Sequence, residues 1–154
     1  MNEQDILNKL TSICAKSEQC PFDLQKKMRK WEIDEDTQTK IISYLKKENY
    51  INEHRYAETF IRNKVEYNKW GRYKIEQALR MKRIPKEIYG SILDDITEDK
   101  YEDILLPLLR KKLKLIKYNS AYEAKSKLLR FALQRGFTME QILSRIESII
   151  KEDI

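Results

Sequence analysis

The sequence predicts an all-α protein made of three tandem three-helix, helix-turn-helix-like repeats that form an elongated, curved molecule. Three observations predict it. Apolar residues recur at helical spacing along almost the whole chain, with no sustained alternation. Three Gly and three Pro in 154 residues leave too few turn formers for an all-β fold. One apolar pattern also recurs after 51 and then 53 residues, the mark of supersecondary units that stack on their neighbours.

The stripes follow in chain order. Ile6, Leu7, Leu10, Ile13 and Cys14 form the first, Leu24, Met28 and Trp31 the second, and Ile41, Ile42 and Leu45 the third. The pattern resumes with Tyr56, Ala57, Phe60, Ile61 and Val65, then Ile75, Ala78 and Leu79 with Tyr73 at its margin, then Ile88, Ile92, Leu93 and Ile96. It closes with Leu105, Leu108, Leu109 and Leu113, then Leu128, Leu129 and Ala132, and finally Ile142, Ile146 and Ile149.

Aligning Leu24, Ile75 and Leu128 brings further columns into register. Nine residues on stand Ile33, Ile84 and Phe137, apolar residues in the link between two helices. Nine beyond those are Ile42, Leu93 and Ile146, and three later Leu45, Ile96 and Ile149. The repeats are therefore expected at 1–53, 54–97 and 98–154. Helix starts fit this division: Asp34, Pro85 and Thr138 follow the linking residues, and Pro21 with Asp23, Gly71 and the Ser120–Glu123 capping-box pattern precede the middle helices. Pro107 lies inside an expected helix and either kinks it or marks a later start.

Charge points to an anionic partner. The chain carries a formal +6, unevenly spread: residues 1–53 hold nine cations and ten acids, 54–97 ten and six, and 98–154 twelve and nine. In KWGRYKIEQALRMKRI, Lys69 to Ile84, the cations crowd around an apolar stripe and interleave with Trp70 and Tyr73. The expected contact face is Arg62, Lys64, Lys69, Arg72, Lys74, Arg80, Lys82 and Arg83, with Arg110, Lys111, Lys112 and Lys114 as second choice. The bland alternative is a solvated face with intrahelical pairs such as Glu58–Arg62 and Glu76–Arg80. Trp70 is expected to cap the core beside Gly71.

Other function classes find less support. A helix-turn-helix reader places the start of its last helix against base edges, but here those helices open Asp34-Glu35-Asp36, Pro85-Lys86-Glu87 and Thr138-Met139-Glu140. A DNA-binding protein acting alone and a helical-repeat adaptor for another protein remain the alternatives. Catalysis is not expected: His54 has no partner set, three glycines build no phosphate loop, and no cofactor is implied. Cys14 and Cys20 alone make no zinc site, so no metal is expected. Reduced thiols, the absence of a signal-like N-terminus and the absence of a long apolar run predict a cytoplasmic protein without membrane contact, expected as a monomer.

The run Asn52-Glu53-His54-Arg55-Tyr56-Ala57-Glu58-Thr59-Phe60-Ile61-Arg62, followed by Gly71-Arg72-Tyr73-Lys74-Ile75 and Ala78-Leu79-Arg80-Met81-Lys82-Arg83-Ile84, resembles the core signature of the bacterial RecX regulatory proteins. That signature is an acidic pair, R-F/Y-A-x-x-F/Y, a gap, and G-x-x-R/K-I-x-x-x-L-x-x-K-G-I. Phe22-Asp23-Leu24 and Leu129-Arg130-Phe131 with Arg135-Gly136-Phe137 match the flanking repeats more loosely. Asn52 replaces an acid, and Arg83 stands in place of Gly, which implies a different helix exit or a small strain.

The resemblance implies a non-enzymatic regulator that binds the RecA recombinase, chiefly as its filament on single-stranded DNA. It further implies inhibition of ATP hydrolysis, strand exchange and coprotease activity, with weak non-specific DNA contact.

Overall fold

A computed structural model describes residues 1–152; the last two residues of the expected third repeat lie outside it. The described residues form nine helices and no strand: α1 (Glu3–Lys16), α2 (Pro21–Lys30), α3 (Glu35–Lys47), α4 (Glu53–Glu66), α5 (Arg72–Met81), α6 (Lys86–Asp94), α7 (Glu98–Leu115), α8 (Ala121–Gln134) and α9 (Met139–Glu152). The chain divides into two compact units, Met1–Phe60 with Leu79–Gly90, and Ile61–Ala78 with Ser91–Ile154. The division passes through α4, α5 and α6.

Helix starts use the expected chemistry. The Asp34 carboxylate accepts from the Thr37 N–H at 3.0 Å and from its hydroxyl at 2.8 Å, and these bonds hold its pKa below the ordinary value. Thr138 and Gln141 form a reciprocal capping box at 2.8 and 3.0 Å. At α8 the Ser120 hydroxyl accepts from the Glu123 N–H, while Glu123 reaches back to the Asn119 N–H instead of the cap itself.

The links after α2, α5 and α8 share one exit. Ile33, Ile84 and Phe137 each donate from their N–H to the carbonyl five residues back, on Met28, Leu79 and Ala132. The residue before each of them, Glu32, Arg83 and Gly136, donates three back and has positive φ of 58°, 58° and 96°. This is a Schellman closure, and it recurs at Asn49 after α3. Arg83 therefore makes the same exit as a glycine, and the substitution is accommodated as backbone strain of about 1 kcal/mol.

In the first unit, Ile6 and Leu10 of α1, Leu24 and Met28 of α2, and Ile41, Ile42 and Leu45 of α3 close on Ile51, with Trp31 and Ile33 packed at the edge. Gln38 is buried among them and satisfied, donating from its side-chain amide to the Ile33 carbonyl at 2.8 Å. Cys14 and Cys20 are free thiols.

The core of the second unit draws on Ile75, Leu93, Leu105, Leu109, Leu128, Phe137 and Ile146. Ion pairs tie α7 to α9 along its flank: Glu102 to Arg145 at 3.1 Å and Arg110 to Glu152 at 3.1 Å. Helix α7 runs unbroken through Pro107, so a later start is excluded; the ring leaves the Asp103 carbonyl without its helical donor.

Several expected core assignments shift, and residues such as Phe60, Ala78 and Leu129 are half-buried. Tyr73 is 62% exposed and leaves the α5 stripe. In α6 the fully buried residues are Tyr89 and Leu93, whereas Ile88 and Ile92, and Ile96 just beyond the helix, are half-buried. In α7, Tyr101 and Ile104 join the core, and Leu108 is only half-buried. An aromatic residue fills a wide gap more completely than a β-branched one, which periodicity alone does not reveal.

One close contact of the second unit is backbone on backbone. The Gly71 and Tyr73 N–H groups at the start of α5 donate to the Arg135 and Gly136 carbonyls at the exit of α8, at 2.7 and 3.2 Å. A Cβ on Gly71 would lie 2.4 Å from the carbonyl carbon and oxygen of Gly136, and one on Gly136 would lie 2.6 Å from the Lys74 nitrogen. Gly71→Ala and Gly136→Ala are each expected to cost roughly 2–4 kcal/mol in urea unfolding followed by circular dichroism, because neither backbone can move without losing these bonds. Glu32→Gly, at an exposed left-handed position, is expected to do the reverse and stabilise by about 0.5–1 kcal/mol in the same measurement.

Candidate partner-binding surface

The cations expected to form one face are distributed between the two units and differ in how firmly they are held. In the first unit, Lys82 lies 2.6 Å from the Asp23 carboxylate, and the Arg83 guanidinium sits 5.6 Å from the Phe22 ring centre. Arg80 is exposed on α5. Lys82 also borders a shallow cleft of about 330 Å³ with Lys26, Lys27 and Lys30 of α2. The charge tally by thirds hid this basic patch, because acids elsewhere in residues 1–53 cancel it.

In the second unit, Arg62 and Lys69 are exposed. Lys69 has φ of 58° in the turn between α4 and α5, where the Trp70 N–H donates to the Lys64 carbonyl at 3.0 Å. Trp70 is half-buried and does not enter the core. The Lys64 and Lys74 ammonium groups lie 4.7 and 4.5 Å from its ring centre, so cation–π attraction fixes both lysines on the indole. Arg72 is committed as well, at 2.7 Å from Asp94. Among the second-choice cations, Arg110 pairs with Glu152, while Lys111 and Lys114 are exposed. Among the expected cations of this unit the open charges are thus Arg62, Lys69, Lys111 and Lys114, and the ordered ones are structural as well as electrostatic. The intrahelical pair expected at Glu58–Arg62 is replaced by Glu58 with His54, at 3.0 Å.

A groove of about 530 Å³ opens beside α7. Its apolar part is Ile104, Pro107, Leu108, Leu115 and Phe131. Its charged part is Lys69, Lys100, Lys111, Lys112 and Arg135, against Glu66 and Asp103. Lys112 and Arg135 lie 4.9 and 5.1 Å from the Phe131 ring centre, and Arg135 also donates to the Asn68 carbonyl at 3.0 Å. Lys100 donates to Glu66 at 2.8 Å and holds that carboxyl below its usual pKa. Sequence reasoning found Lys69, Lys111 and Lys112 but missed Lys100, Arg135, Phe131 and the apolar part. The available signals were a proline within a helical pattern and Leu115 inside the basic run from Arg110 to Lys117.

The reactive side chains are poised for structure. Burial pushes the Cys20 thiol up to about 11, and burial together with Glu18 raises that of Cys14, so both stay protonated near neutrality. Among the described residues no group of three or more His, Cys, Asp and Glu side chains is arranged to hold a metal ion. No described helix is long and apolar enough to cross a membrane.

Known proteins resemble this chain in sequence and in fold. The model for the second three-helix domain of RecX matches residues 52–89, and that for the third matches 99–144, together more than half of the chain. The chain is 29% identical over 144 residues to a regulatory protein RecX of Clostridium beijerinckii, covering 92% of this chain and 67% of that protein. It is 31% identical over 117 residues to one from Clostridium perfringens, covering 75% of this chain and 54% of that one. The chain thus spans between about half and two thirds of the length of these curated relatives. Among solved structures, a regulatory protein RecX superimposes with a TM-score of 0.83 at 18% identity, over 97% of this chain and 73% of the other. RecX from Lactobacillus salivarius gives 0.75 at 23% identity, over 97% and 95%. Two adjacent domain matches, a shared fold and relatives at this level of identity place the chain in the RecX family of regulatory proteins.

Proposed function

We propose that the chain is a non-enzymatic regulator that binds the RecA recombinase, chiefly as its filament on single-stranded DNA, and lowers its ATPase, strand-exchange and coprotease activities. The observation that carries this reading is the pair of family matches over residues 52–89 and 99–144, which include all eight first-choice cations and the four second-choice ones. It acts as a monomer in the cytoplasm and uses no cofactor. Its working organisation is three tandem repeats, 1–53, 54–97 and 98–154, and the shared helix exit at Glu32, Arg83 and Gly136 supports that division.

The open cations Arg62, Lys69, Lys111 and Lys114 supply attraction to an acidic protein surface or to phosphates, and such contacts weaken with salt. Several contacts on one polymer sum, so modest individual affinities suffice. A role as a solitary sequence reader gains nothing from the last helices: Asp34 and Thr138 spend their side chains on capping.

The test is single-stranded-DNA-dependent ATP hydrolysis by the cognate RecA, titrated with this protein at two salt concentrations. Inhibition is expected near stoichiometric ratios and is weaker at the higher salt. The double charge reversal Arg62→Glu with Lys69→Glu is expected to raise the half-inhibitory concentration about tenfold, equivalent to about 1.4 kcal/mol. Full ATPase activity at a large excess of protein, with no binding to RecA, overturns the reading.

A further inference from the structure

We propose that the groove beside α7 docks an acidic amphipathic segment of a protein partner, with its apolar side chains on Leu108 and Leu115 and its carboxylates on Lys69 and Lys111. Nothing in the family resemblance assigns this site, and the proposal does not require the partner to be a recombinase.

Three features of the groove select this occupant. First, cations outnumber carboxylates five to two around an apolar floor, so the complement is a ligand both anionic and greasy. Second, Leu115 is 71% exposed and shares the groove lining with Ile104, Pro107, Leu108 and Phe131, so the apolar surface there is a group and not a single side chain. Third, Lys69 and Lys111 are exposed at the edge, whereas Lys100, Lys112 and Arg135 are already engaged with Glu66 or Phe131.

A nucleic-acid strand fits less well. Phosphates gain nothing from Pro107, Leu108 and Leu115 and are repelled by Glu66 and Asp103. The one ring that could stack on a base, Phe131, already carries two cations. The volume lies within the range of small ligand sites and admits a few anchoring side chains of a helix laid into a groove.

The experiment is fluorescence anisotropy with the full chain and a labelled peptide of about fifteen residues, carrying leucines at i, i+3, i+4 and i+7 and glutamates elsewhere. Saturable binding is expected, with a Kd between about 1 and 100 µM. Leu115→Asp and Lys111→Glu, both at exposed side chains, are each expected to weaken it about tenfold or more. Lys86→Glu, an exposed reversal outside the groove, leaves it unchanged. An equimolar oligothymidylate is not expected to displace the peptide. Urea midpoints like that of the parent chain establish that the variants fold. The proposal is overturned by an absence of saturable binding, by equal losses at Lys86 and Lys111, by insensitivity to Leu115→Asp, or by displacement with the oligonucleotide. No recombinase is present in this assay, so its failure leaves the filament reading standing, and failure of ATPase inhibition leaves the groove standing.

Discussion

The second unit depends on the contact in which the start of α5 meets the exit of α8 at backbone distance. Two N–H groups that a helix start leaves without intrahelical partners meet two carbonyls that a helix exit leaves the same way. The positive end of one helix thus faces the negative end of another, and no side chain intervenes. Such an approach needs a residue without Cβ on each side, and Gly136 must also adopt a left-handed conformation. Everything that turns on the position of the α4–α5 turn follows from it. Trp70 and Lys74 flank Gly71, and Arg135 reaches from the α8 exit to the Asn68 carbonyl while lying over Phe131.

Charge in this chain divides into two kinds of work. Lys64 and Lys74 on Trp70, Arg72 on Asp94, Lys82 on Asp23 and Arg110 on Glu152 are spent on order. Surface pairs of this sort contribute little stability one by one, but they fix where long side chains lie. Arg62, Lys69, Lys111 and Lys114 stay exposed and create the field that a partner meets. A net charge counted from composition merges the two kinds. A basic family member can therefore owe its binding to a minority of its cations, with the rest setting the geometry.

Much of the architecture was legible because periodicity and capping are local. Leu24, Ile75 and Leu128 are fully buried as their shared column requires, and so are Leu93 and Ile146. Asp34 and Thr138 cap as their positions imply. Tyr89 and Tyr101 were missed because an aromatic in a mixed helix reads as surface until a neighbour covers it. Trp70 was misplaced for the opposite reason: its bulk and the adjacent glycine suggested the core, while two lysines satisfied its faces at half burial. At the candidate surface the residue types were right, and their commitments were invisible. Asp94 is 22 residues from Arg72 along the chain, and Asp23 is 59 from Lys82.

The sequence by itself determined the class of fold, the helix starts, the recurrence of the link after each middle helix and the kinship to a family, because each is written within a few neighbouring residues. Even the departure at Arg83 was visible there, as a side chain where a left-handed exit favours none. Only the tertiary structure decided which way that departure was resolved, which cations remain open, and that Pro107, Leu115 and Phe131 line one groove. Those outcomes depend on groups brought together from distant parts of the chain, and a pairing of that kind leaves no local trace in the order of residues.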